Sequence, residues 1–96
     1  SEPMLALQKL RSEGYQIICV EQIDQSLALD TFQPDPNKKY GFFFGNEVFG
    51  VTDEVVTDAD ACLEIPQFGT KHSLNISVSV GVVIWDMFQK IGRPLL

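Results

Sequence analysis

The chain has 96 residues, 45% of them apolar, and a formal net charge of −6. That length allows one domain, with a core modest enough that association with another chain would be a natural source of extra stability. The acidic balance argues against nucleic-acid binding by charge alone. No apolar run reaches the length of a membrane span, and no basic-then-apolar leader is visible at Ser1.

Ser1 reads as a helix cap, with Glu2 and Pro3 in the first turn and Met4, Leu5, Leu7 and Leu10 as a rough apolar face ended by Gly14. Gln16 to Val20 is β-branched and apolar, which predicts a strand buried on both faces. Glu21 to Asp30 is mixed and polar. Thr31 to Asn37, with Pro34 and Pro36 around Asp35, must be loop. Tyr40 to Phe44 predicts a second buried strand that stops at Gly45. Asp53 then caps a short helix over Glu54 to Ala59, and Cys62 to Ile65 forms a third strand closed by Pro66. From Leu74 to about Ile91, apolar residues at Leu74, Val78, Val82, Trp85 and Phe88 recur at helical spacing, and Val82, Trp85 and Phe88 are expected in a core or a dimer interface. Gly92 and Pro94 end that helix. The alternation predicts an α/β domain with a parallel sheet and flanking helices.

Cys19 and Cys62 lie far apart in sequence without a CxxC pattern, which reads as two reduced, buried thiols. The carboxylates Asp53, Glu54, Asp58 and Asp60 read as a solvated helix face rather than a metal site, and His72 as an ordinary loop histidine.

In an open α/β sheet, ligands bind just beyond the carboxyl ends of the strands. Two Gly-bearing polar loops stand at such places: Phe44-Gly45-Asn46-Glu47-Val48-Phe49-Gly50-Val51 after the second strand, and Ile65 to Asn75 after the third. Ser73 sits where the long helix would be capped. From the residues alone, these could converge on a ligand or be a turn and a helix cap. Neither a GxGxxG nor a Walker A pattern is present.

FGNEVFGV and IPQFGTKHSLNISVSVGVVIWD resemble the second and third motifs of the SpoU/TrmH family of RNA 2′-O-ribose methyltransferases, members of the SPOUT superfamily. The resemblance implies a SPOUT-type α/β fold with a deep trefoil knot. It makes residues 1–96 a single domain, the C-terminal portion of a methyltransferase domain whose first strands precede Ser1. It also implies S-adenosyl-L-methionine as cofactor, held by Phe44, Gly45, Asn46, Gly50, Ile65, Ser73 and Leu74 around the two loops. Glu47, Ser73 and Asn75 match residues that support catalysis, and Lys71 is the expected RNA-phosphate contact. The implied partners are tRNA or rRNA and a second copy of the chain, paired partly through the C-terminal helix. The implied location is cytoplasmic, and the implied chemistry uses neither metal nor membrane. One departure stands out: no NxGxxxR-like segment, the source of the family's catalytic Arg, occurs in the 96 residues, where Arg11 and Arg93 are the arginines. A dimerising, non-catalytic scaffold is the alternative reading.

Overall fold

The computed structural model describes residues 1–23, 25–45, 51–66 and 76–92. Helix α1 (Glu2–Ser12) leads into strand β1 (Tyr15–Val20), followed by a short strand β2 (Leu27–Ala28) and a 3-10 turn at Leu29–Thr31. Strand β3 (Lys39–Phe44), helix α2 (Asp53–Asp58), strand β4 (Ala61–Glu64) and helix α3 (Ile76–Met87) come next, and α3 continues into a π-helical turn at Phe88–Gly92.

The four strands form one parallel sheet in the order β2-β4-β1-β3. β1 lies inside it, with Tyr15 to Val20 paired to Lys39 to Phe44 on one side and Ile18 to Val20 paired to Ala61 to Leu63 on the other. Successive side chains of a strand point to opposite faces. Ile17 and Cys19 therefore join Leu7 of α1 and Val55 of α2 in one buried cluster, while Ile18 joins Leu29, Leu63, and Val83 and Met87 of α3 in the other. The three-layer α/β architecture expected from the sequence is the one observed.

Two glycines are required by geometry. Gly14 adopts φ +91° just past α1, a left-handed conformation that lets the chain turn straight into β1. At Gly41, a Cβ would come within 3.0 Å of Leu10 Cδ1, so its absence lets α1 lie close on β3.

The amino edge of the sheet is fixed by Asp60. Its backbone N–H donates to the Ile17 carbonyl at 2.8 Å, and its carboxylate accepts the Ile17 N–H at 2.7 Å. Arg11 reaches across from α1 to the Asp58 carbonyl at 2.6 Å and to Asp60 at 3.4 Å. The four carboxylates are exposed, as expected, but Asp60 lies beyond α2 and serves β1, and Glu54 accepts the Ser1 hydroxyl at 2.8 Å. Ser1 makes no capping bond to its own helix, and the cap position of α2 is Thr52, with Asp53 the first helical residue.

Three further differences have physical causes. Strand β2 was not anticipated because two residues give no periodicity to read. The two cysteines, distant in sequence, are register partners on adjacent strands with their sulfurs 2.6 Å apart. The apolar stripe of α3 faces outward: Val78, Val82, Trp85 and Phe88 are exposed, and Val83 and Met87 are the buried residues. Leu74 lies outside the described residues, as do residues 46–50 and 67–75 of the two motif loops around which the trefoil knot is expected.

Candidate functional site

Because all strands run parallel, their carboxyl ends share one edge, and both motif loops leave from it. β3 ends at Phe44, paired to Val20, with Gly45 following; β4 passes Leu63, also paired to Val20, and continues through Glu64 to Ile65. The end of β1 therefore stands between the two loops. Val20, Phe44 and Ile65 all pack against the cluster on the α3 side, and each is partly buried. All three are apolar side chains at the carboxyl edge, with Gly45 directly after Phe44. Of the residues picked out in the sequence, the structure brings Phe44, Gly45 and Ile65 to this edge. Asn46, Glu47, Gly50, Lys71, Ser73, Leu74 and Asn75 lie outside the described residues.

One polar residue at the edge was not picked out in the sequence. Glu21 directly follows β1, and its backbone N–H donates to the Leu63 carbonyl at 2.9 Å, extending the ladder to β4 by one step. Its carboxylate accepts the Val51 N–H at 2.8 Å and the Gln22 N–H at 3.2 Å. The rule that marked the loops after β3 and β4 would have marked Glu21 too, had it been applied to the end of β1. Beside it, Ser26 donates through its hydroxyl to Glu64 at 3.0 Å and ties the β2 approach to the end of β4. Cys19 lies one turn of the strand below Glu21. Burial, the hydrogen bond to Cys62, the Cys62 charge and the Glu21 charge push its thiol well above its ordinary value of 9.0, so it is held as a neutral thiol.

Among the described residues, no group of three or more His, Cys, Asp or Glu side chains could hold a metal ion. No helix among them is long and apolar enough to cross a membrane.

The model of the SpoU rRNA Methylase family matches residues 2–85, most of the chain. The protein belongs to the SpoU rRNA methylase family. Among the relatives of this SpoU-family chain, a tRNA (guanosine(18)-2′-O)-methyltransferase of Borreliella burgdorferi is 34% identical over 88 residues, covering 92% of this chain and 39% of that protein. A mouse (Mus musculus) protein of the same description is 40% identical over 86 residues, 90% of this chain and 5% of that protein. The chain thus spans well under half the length of these relatives. Among solved structures, the Aquifex aeolicus TrmH/SpoU tRNA modifying enzyme superposes with a TM-score of 0.79 at 28% identity, covering 92% of this chain and 44% of that one. An rRNA methyltransferase from Sinorhizobium meliloti with bound AdoMet gives 0.76 at 27% identity, covering 93% and 33%. The SpoU family and its parallel α/β fold thus agree with what the two motifs implied.

Proposed function

We propose that this SpoU-family chain supplies the S-adenosylmethionine-binding part of an enzyme that methylates a ribose 2′-hydroxyl in tRNA or rRNA. The observation that carries the reading is the common origin of the two motif loops at the carboxyl edge, on either side of β1, in a chain of that family. In this reading the 96 residues are the C-terminal portion of a longer methyltransferase domain with the family's trefoil knot, working in the cytoplasm.

The described residues fit such a cofactor. In this reading Val20, Phe44 and Ile65 offer apolar surface to the adenine, and backbone of the motif loops reads its edge. Asn46, Gly50, Ser73 and Leu74 complete the pocket in this assignment. When bound there, S-adenosylmethionine supplies an electrophilic methyl group. The chain's task is then orientation, holding the acceptor hydroxyl in line and excluding water, which carries much of the rate of such a transfer. Glu47, Ser73 and Asn75 are assigned to that support, and Lys71 to a phosphate of the RNA. The residue that draws off the hydroxyl proton is not assigned within residues 1–96, since the NxGxxxR pattern is absent from them.

A second copy of the chain is proposed as partner through α3. What supports it is the outward apolar face of that helix, where Val78, Ile84 and Trp85 are at least half exposed (50%, 55% and 57%) and the Trp85 and Phe88 rings stack at 5.6 Å.

Calorimetric titration with S-adenosylmethionine and S-adenosylhomocysteine tests the cofactor reading. Saturable binding that weakens in Asn46→Ala and Ser73→Ala is the expected result. Unaltered affinity in both variants would remove those residues from the pocket, and no binding by the folded protein would remove the cofactor.

A further inference from the structure

Glu21 makes a contact that neither motif loop accounts for. It is anchored twice, through its backbone to β4 at Leu63 and through its carboxylate to Val51, where the chain re-emerges from the first motif loop. The Val51 end of the first loop and the strand from which the second loop leaves are thereby both tied to a single residue at the end of β1. A carboxylate receiving a backbone N–H is a charge-assisted bond, stronger than a neutral one, and this one is partly shielded from water. The bond also spans 30 residues of sequence, so it fixes position rather than local conformation.

We propose that Glu21 is a positioning residue for the cofactor pocket, holding the Val51 end of the first motif loop against the end of β1. This rests on the reading of that loop as part of an S-adenosylmethionine site. The role depends on reach and acceptor geometry, not on net charge. Glu21→Gln keeps a carbonyl oxygen at the same distance from the backbone and so keeps the bond to Val51. Glu21→Asp keeps the charge but withdraws it by one methylene, and Glu21→Ala removes the acceptor.

The test is calorimetric titration of the wild type and the three variants with S-adenosylhomocysteine, which is uncharged at sulfur, and with S-adenosylmethionine. Measurements are made well below each melting temperature. The expected order is wild type, then Glu21→Gln within a few-fold because it keeps the acceptor oxygen without the charge, then Glu21→Asp and Glu21→Ala, both weaker for the two ligands by about tenfold, the worth of losing the bond itself. Arg11→Met, which cuts ties at the opposite edge of the sheet, should lower the melting temperature without changing affinity. Equal affinity in all variants would overturn the positioning role, and so would a loss confined to the sulfonium ligand in Glu21→Gln and Glu21→Ala with Glu21→Asp unaffected, which would make Glu21 an electrostatic contact. If Glu21→Ala does not fold, Glu21→Asp carries the same comparison. A wild type that binds neither ligand would defeat the proposed function itself; a wild type that binds both, with unaffected variants, would defeat only this inference.

Discussion

The two faces of the sheet are built on opposite plans. Under α1 and α2, the helices turn apolar side chains inward, and Leu7, Ile17, Cys19 and Val55 close a cluster with no buried charge. Outside, α1 is mostly polar, with Leu5 its exposed large apolar residue. On the other face, α3 and the turn that follows it send Asp86 and Lys90 inward beside Val83 and Met87, and carry Val78, Val82, Ile84, Trp85 and Phe88 outward. Lys90 pairs with Asp86 and donates to the carbonyls of Leu29 at 2.7 Å and Phe32 at 2.8 Å. α1 is a helix finished against water. α3 is a helix held by Val83 and Met87 and by a polar anchor, with its larger apolar side left exposed.

The largest effect should come from the conventional face. Leu7 is fully buried, and Leu7→Ala should cost ~2–5 kcal/mol in urea denaturation, the range for a leucine cavity. Val83→Ala on α3 should cost less, roughly 1.5–3 kcal/mol, the worth of burying a valine side chain. If Val83→Ala proved the costlier, apolar packing rather than the polar anchor would hold α3, and the contrast between the faces would collapse.

Next in size is the anchor itself. Lys90→Met leaves the Asp86 carboxylate and two carbonyls without their cation. A buried pair broken on one side costs ~3–5 kcal/mol, and the partial exposure here reduces that to roughly 2 kcal/mol. The double variant Lys90→Met with Asp86→Leu should recover much of the loss, because no charge is then left unpaired. A double-mutant cycle with simple additivity would show that the two residues do not act as a unit.

How much of this was legible in the sequence follows from the same contrast. β1, β3 and β4 were readable because aromatic and β-branched runs between turn residues have few other uses, and the parallel sheet followed from their alternation with helices. The inward stripe of α3 was not. Apolar residues occupy most positions from Ile76 to Met87, so the period is weak on every side, and the contacts of the inward side include the Leu29 and Phe32 carbonyls that Lys90 meets some 60 residues away. β2 had too few residues to signal itself. Of the site, the two loops were marked by their place after strands and by the motif resemblance. The strand-end rule reaches Glu21 as a position, but its bond to Val51 is a contact no local pattern encodes.

The outward face predicts an effect on association rather than on folding. Trp85→Glu should leave the stability of the isolated protomer within ~0.5 kcal/mol, as for surface changes in general, because the ring is 57% exposed. It should shift the species seen by sedimentation velocity from dimer toward monomer. A wild type that stays monomeric at high concentration would mean that α3 waits for a different partner.

The smallest effect is a pH dependence that belongs to the α1 face. The folded state holds the Cys19 thiol above its ordinary value of 9.0, chiefly by burial and then by Cys62. Below that value the thiol is neutral in both folded and unfolded chains, and its contribution to stability is fully present. Above it, the unfolded chain releases the proton while the folded chain keeps it, so stability falls as pH rises, by at most about 1.4 kcal/mol per unit for one proton. Urea denaturation of the reduced protein at pH 8 and pH 10 should therefore show a steeper alkaline loss for the wild type than for Cys19→Val, which keeps a similar volume in the cluster but cannot ionise. Parallel losses would place the alkaline sensitivity elsewhere, and the neutral character of the α1 face would no longer distinguish it from the face that α3 covers.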